Sequence, residues 1–333
     1  MSFVGPPRLP GSLLILVAAV LWGTTGTAAT FAPDVSPIAI GAAAMGFGGL
    51  LQALIAVRSL RRHAAGIRRQ WRIVALGAVA VALYPLAFYS SMQLAGVAVG
   101  TVVSIGSAPI FAAIIERLAD GHRLTRRWAI GAALGIAGAA LLSIAESLGG
   151  GGFRAPHSEL GIALGLIAGL TYALYSWAAH RVIETGVPVR AAMGAIFGSA
   201  GLALMPVVLV TGSTFLASGV NASVGIYMAL VPMFAGYVLF GLGLARARAS
   251  TAIVLTLVEP VVAALLAVLI VGEQLAPLGW AGVGLIACSL IALTAKMPEK
   301  TDAQRNLNDD PADLARVASR GAQARTNSPV QRR

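Results

Sequence analysis

"TLVEPVVAALLAVLIVGEQL", Thr256 to Leu275, is long and apolar enough to cross a bilayer, yet it carries Glu259 beside Pro260 at the midpoint of the span it belongs to. An acidic residue at the centre of a membrane helix costs about 3 kcal/mol on insertion scales. A proline removes a backbone donor and clashes with the preceding turn. Either this is not a membrane helix or the pair serves something.

Composition decides between the two. With 57% apolar and 11% charged residues and a mean hydropathy of +0.82, the chain is far more apolar than a water-soluble domain can bury. It is read as an all-α integral membrane protein. Taking about 20 apolar residues per crossing gives ten spans. The first five are 11–31, 37–57, 73–91, 97–118 and 128–145, and the second five are 159–179, 191–211, 223–245, 250–271 and 277–295. The single cysteine, Cys288, lies in the last span, which excludes a disulfide framework and a cysteine metal site and leaves small apolar packing as its role. From Lys296 the composition turns polar and mixed in charge, so 296–333 reads as a disordered tail.

Arginine orients the bundle, because basic residues in short loops stay on the cytoplasmic side. "RSLRRHAAGIRRQWR" after the second span holds six arginines, and Arg117, Arg123, Arg126 and Arg127 follow the fourth. The connections after the sixth and eighth spans add Arg181, Arg190, Arg246 and Arg248. The alternate connections hold one arginine between them, Arg154, beside Asp34, Glu146, Glu159 and Glu273. Both termini are therefore expected in the cytoplasm, with the protein in the cell membrane. The net charge of +11 is a topology signal with some contact to anionic lipid, and nucleic acid is not expected as a partner. The small residues of "GTAATFA" resemble a cleavage site, but the first span is too long and its only basic flank is Arg8.

Shifted by about 150 residues, the chain matches itself at three places, with registers that agree to within one residue. "LVAAVLWGTTG" (Leu16–Gly26) faces "LIAGLTYALYS" (Leu166–Ser176), which sets Trp22 opposite Tyr172. "SAPIFAAIIERLADGHRL" (Ser107–Leu124) faces "VEPVVAALLAVLIVGEQL" (Val258–Leu275), which sets Pro109 opposite Pro260 and Gly121 opposite Gly272. "IGAALGIAGAALL" and "AGVGLIACSLIAL" share a small-residue rhythm. Five spans per copy is an odd number, so the second copy enters the membrane reversed. The fold is thus ten transmembrane helices as two inverted five-helix repeats, 11–145 and 159–295. Such repeats are typical of secondary transporters, with a substrate site between them near the midplane.

On "AAVLWGTTG", on the Pro109 helix followed by "GHRLTRRWAIGAALGIAGAALL", and on "LVEPVVAALLAVLIVGEQLAPLGWAGVGLI", the chain resembles the drug/metabolite transporter superfamily, in particular members with two EamA domains. The resemblance covers about 11–295. It implies a central cavity formed chiefly by spans 1, 3, 4, 6, 8 and 9, and transport of small metabolites, amino acids or drugs, often outward. The arginine that members often carry in the second span is missing from "GAAAMGFGGL", so no role of that residue carries over.

Glu259 is the one ionisable residue deep within a span, since Glu116 sits near a span end beside Arg117. Two functional roles are open to it: binding a cationic group on the substrate, or exchanging protons so that protons become the coupling ion. The plainer alternative is a neutral acid capping carbonyls freed by Pro260. Pro109 and Pro260 are candidate hinges, or static kinks; Pro85 and Pro232 offer similar bends. Trp22, Tyr84, Tyr172, Tyr175 and Tyr237 lie mid-span and either contact substrate or bond carbonyls in a dry core. Ser104 and Ser107 could line a polar path or bond their own helix. Trp71, Trp128 and Trp280 lie near span ends, as interfacial anchors do. Gly161, Gly165 and Gly169, like Gly131 and Gly135, form close-approach faces that pack the monomer, with a homodimer through span 5 or 10 as the other use.

No phosphate-loop motif is present, so a gradient or exchange must drive any transport, and no cofactor is called for. His63, His122, His157 and His180 show no metal-ligand spacing, and no nucleophile elbow occurs. The competing class, an integral membrane enzyme or a non-transporting scaffold, lacks convergent catalytic groups in the first case and leaves the inverted duplication unused in the second. The expectation is therefore a secondary active transporter of the cell membrane that exports a small organic solute.

Overall fold

The computed structural model describes residues 10–149, 158–271 and 276–294. The tail 296–333, Gly272, Arg154, His157 and Glu273 lie outside the described residues. Among the described residues ten helices are long and apolar enough to cross a membrane. They are α1 (Gly11–Thr30), α2 (Pro37–Arg62), α3 (Trp71–Ala95), α4 (Val99–Ala119), α5 (Arg126–Ala145), α6 (Glu159–Glu184), α7 (Val189–Leu216), α8 (Gly219–Leu244), α9 (Ala249–Ile270) and α10 (Pro277–Thr294). Helices α2 and α6 run about a turn past their apolar runs, because basic stems extend the helix into the headgroup layer while keeping their charge in water.

Local chemistry sets several ends. Pro37 occupies the first turn of α2, where its missing N–H is no loss, and Ser36 Oγ accepts the Ala39 N–H at 3.2 Å. Ser218 Oγ accepts the Asn221 N–H at 3.0 Å at the start of α8. Gly96 takes φ +89°, which lets the chain reverse between α3 and α4 without a loop.

The repeats meet through small residues. A Cβ on Gly201 of α7 would lie 2.6 Å from the Gly46 carbonyl of α2, and Gly194 and Gly198 sit as close to Ala56 and Ala53. Helices α5 and α10 approach backbone to backbone at Gly138 and Gly282, each glycine facing the other's carbonyl. The shift that lays Pro109 on Pro260 carries Gly138 to Ser289 and Gly131 to Gly282. The mate of the Gly138–Gly282 approach is then a Ser289–Gly131 contact, and Ser289 Oγ does donate to the Gly131 carbonyl at 2.7 Å. In the same way α6 packs on α3 and α4 while α1 packs on α8 and α9. This is the contact pattern of an inverted pseudo-twofold. The stripe Gly161, Gly165, Gly169 packs inside the bundle, against Ala95, Ser91 and the Ser104–Ser107 turn respectively.

Not every helix is regular. Pro85, Pro109 and Pro206 sit within continuous α-helix. Helix α8 winds as a π-helix over Ala229–Gly236, around Pro232. Helix α9 narrows to a 3₁₀ turn at Thr256–Val258, restarts as α-helix at Glu259–Leu266 and widens to a π-turn at Ala267–Val271. Pro260 therefore lies in the first turn of a restarted helix, where a proline is tolerated, and Glu259 stands at that segment's N-terminus, where the backbone dipole favours an acid. Cys288 is exposed on the outer face of α10, not packed as the sequence suggested: the inner face of that helix is taken by Gly282, Ile286 and Ser289. Trp71 and Trp280 are exposed, whereas Trp128 is half-buried, packed against a core cluster with its Nε1 inside the bundle.

Candidate functional site

Where α9 breaks, its neighbours leave a gap. A cavity of about 50 Å³ is lined by Trp22 and Thr25 of α1, Gly41 and Met45 of α2, and Tyr84, Pro85, Phe88 and Tyr89 of α3. Tyr172 and Tyr175 of α6, Met233 and Tyr237 of α8, and Glu259 of α9 complete the wall. Among the described residues no group hydrogen-bonds or ion-pairs with the Glu259 carboxylate, and no Lys, Arg or His lines the cavity.

The aromatic side chains around it are held by one another. Trp22 stacks at a tilt on Tyr237, ring centroids 4.7 Å apart, and Tyr172 on Tyr175 at 5.2 Å. Trp22 Nε1 donates to the Pro232 carbonyl at 2.9 Å, inside the π-turn of α8. The Tyr172 and Thr256 hydroxyls are 2.7 Å apart, and Thr256 Oγ1 donates onward to the Ile253 carbonyl at 2.8 Å. The Tyr172 proton therefore goes to Thr256. The Tyr175 and Tyr237 hydroxyls pair at 2.8 Å. These bonds satisfy groups that would be costly to leave unpaired at this depth.

The cavity is closed towards the end of the bundle that bears the arginine-rich connections. Below Tyr175 and Tyr237 lie Phe197, Phe240 and Leu244, all fully buried. Beyond them, polar groups join the repeats. Glu116 of α4 accepts the Ser250 N–H at 2.9 Å and the Ser250 hydroxyl at 2.6 Å, tying it to the first turn of α9. Asp120 accepts from Trp177 Nε1 at 2.8 Å and lies 3.8 Å from the Arg181 guanidinium. Within the second repeat, His180 Nδ1 donates to the Leu244 carbonyl at 2.7 Å. Thr25, Gly41, Met45 and Tyr89 carry the lining towards the opposite, arginine-poor end.

Of the residues singled out from sequence, the structure gathers Glu259, Trp22, Tyr84, Tyr172, Tyr175 and Tyr237 at one cavity. Ser104 is not among them. It is buried where α4 packs on α6, its carbonyl 2.7 Å from where a Cβ of Gly169 would stand. Helix α4 lends no side chain to the lining, because the α6 glycines draw that face into a helix contact, and α2 takes its place through Gly41 and Met45. Gly41, Met45, Phe88, Tyr89 and Met233 had no sequence signal beyond their depth. Glu116, read from sequence as a span-end neighbour of Arg117, is instead a buried link between repeats.

Residues 9–144 and 159–295 each match the EamA-like transporter family. A relative, the "Uncharacterized transporter YwfM" of Bacillus subtilis (strain 168), is 33% identical over 285 residues, covering 85% of this chain and 93% of that protein. A crystal structure of a protein shares the fold with a TM-score of 0.70 at 23% identity, over 85% of this chain and 96% of that one.

Proposed function

This chain belongs to the EamA-like transporter family, and from that premise we propose that it is a secondary active transporter that carries a small organic solute across the cell membrane by alternating access. The observation that carries the reading is the unpartnered Glu259 carboxylate in a cavity between inverted repeats. A buried acid without a partner is a standing cost, and an empty half of an ion pair or hydrogen bond is what a ligand or a proton would complete. On the arginine rule the closed end is cytoplasmic, as are both termini, and the cavity leads outward. The links Glu116–Ser250 and Asp120–Trp177 are then the contacts between repeats that must part for the cytoplasmic side to open. Export as the working direction, and proton exchange at Glu259 as the coupling, complete the proposal.

The test is flux in proteoliposomes for a panel of amino acids, amines and sugars, with and without a pH gradient, in wild type and Glu259→Gln. Gradient-dependent flux of at least one solute is expected, abolished by the substitution. Absence of flux for the whole panel would overturn the transport reading, and undiminished flux through Glu259→Gln would remove Glu259 from the site.

A further inference from the structure

We propose that the arginine-rich end of the protein carries a binding site for an anionic phospholipid, set in the groove between the end of α2 and the start of α7, where the lipid phosphate ties the two repeats together.

The groove, of about 820 Å³, lies where the first repeat meets the second. Arg58 and Arg62 of α2 line one side and Arg190 of α7 the other. Among the described residues none of the three makes an ion pair or hydrogen bond, and no Asp or Glu lines the groove. Helix α7 begins here after Pro188 with no side-chain cap, so the positive end of its dipole adds to the same field. His63 also lines the groove, with Nδ1 donated to the Ser59 carbonyl at 2.9 Å. The backbones that bear these charges cannot separate to relieve the repulsion. A Cβ on Gly194 of α7 would meet Ala56 Cβ of α2 at 2.5 Å, so the two helices are pressed together within about a turn of Arg58 and Arg190. An anion between the arginines offsets the repulsion that this close approach imposes, and basic pockets between membrane helices at the cytoplasmic side are where lipid headgroups bind.

The surroundings select a lipid over a dissolved anion. Leu54, Ile55 and Val57 form the apolar part of the wall and are exposed. Leu54, Arg58 and Arg62 follow one another at four-residue spacing on one face of α2. Each step is about 6 Å along the helix axis, and the headgroup layer is about 5–8 Å deep on each side of the hydrocarbon. A phosphate held by Arg58 and Arg62 therefore lies within that layer, with its acyl chains running over Leu54 into the hydrocarbon. A dissolved phosphate would leave the apolar wall uncovered. Zwitterionic lipids bring an ammonium group to a groove with three cations and no carboxylate, so the preference is for a headgroup of net negative charge, such as phosphatidylglycerol. The site is separate from Glu259 and does not depend on which solute the protein carries.

The test is native mass spectrometry of the full-length protein in detergent, with equimolar phosphatidylglycerol and phosphatidylcholine of identical chains and with glycerol 3-phosphate as the chainless headgroup. Wild type is expected to retain phosphatidylglycerol about tenfold or more tightly than phosphatidylcholine, as three arginines at about fivefold each near an anionic headgroup allow. Arg58→Gln/Arg62→Gln/Arg190→Gln should lose that preference, whereas Arg69→Gln/Arg123→Gln/Arg126→Gln, which removes the same charge outside the groove, should keep it. Arg190→Gln alone should weaken retention by about fivefold, a readout that stands even where the triple variant does not fold. Three outcomes overturn the proposal. Undiminished preference in the groove variants removes the arginines from any site. Equal loss in both triple variants makes the attraction one of net charge alone. Displacement of the lipid by glycerol 3-phosphate at equal concentration makes the groove a site for a dissolved phosphate.

Discussion

Glu259 and Gly23 are best understood together. A Cβ on Gly23 of α1 would stand 2.8 Å from the Glu259 carbonyl and 2.6 Å from Val262 Cβ, so the break in α9 is pressed directly against the α1 backbone. Gly23→Ala should force the two helices apart at the level of the carboxylate, at the roughly 1–3 kcal/mol typical of overpacking. Gly26, one turn on, has nothing within 4 Å of its would-be Cβ. Gly26→Ala should be neutral or slightly stabilising, since alanine is the better helix former. Thermal unfolding in detergent together with solute flux checks the pair: Gly23→Ala should lower both, Gly26→Ala neither. At this scale the sequence was informative where chemistry is rare. A lone intramembrane acid and mid-span aromatics announce themselves, whereas Met45, Gly41 and Met233 are ordinary membrane residues that only their neighbours make into a wall. Ser104 shows the reverse error: a hydroxyl at the right depth turned into the wrong interface by the glycines of α6.

Helices, by contrast, were legible in number and order and less so in their ends and interior. Hydropathy marks where hydrocarbon stops, not where backbone hydrogen bonding stops, which is why α2 and α6 outrun their apolar cores. Paired prolines suggested paired hinges, but Pro109 lies in unbroken α-helix while α9 is interrupted just before Pro260. A proline's effect depends on whether the turn before it is also regular, and that is settled by packing. The link between α4 and α9 gives a prediction at this level. Removing the Glu116 carboxylate leaves the Ser250 N–H and hydroxyl unsatisfied at the closed end, a loss of about 1–3 kcal/mol. If that link holds the end shut, Glu116→Ala should expose Ser176, which is fully buried beside Tyr175. With Cys288 replaced by alanine, maleimide labelling of Ser176→Cys from the arginine-rich side should rise about fivefold or more, as roughly 1 kcal/mol implies. Unchanged labelling would mean the link is structural only.

For the molecule as a whole, odd-numbered repeats and alternating arginines together fix an antiparallel pair of five-helix units, and this could be derived before any contact was known. The identity of the touching faces could not, because small residues are abundant on every helix and only close approach distinguishes Gly138 and Gly282 from the others. The arginine pattern makes a global prediction: reporter fusions after α2, α4, α6 and α8 should score as cytoplasmic and fusions after α3, α5 and α7 as external. Any inverted pair would break the proposed topology. One side chain spans these levels. Trp22 is among five tryptophans in the sequence. Its ring forms part of the cavity wall, and its N–H is bound to the π-turn of α8. Trp71 and Trp280 face outward, and Trp177 serves the closed end. Occupancy of the cavity and straightening of α8 would both change the surroundings of the same indole, so the protein carries a built-in fluorophore that reports binding and movement without an attached dye.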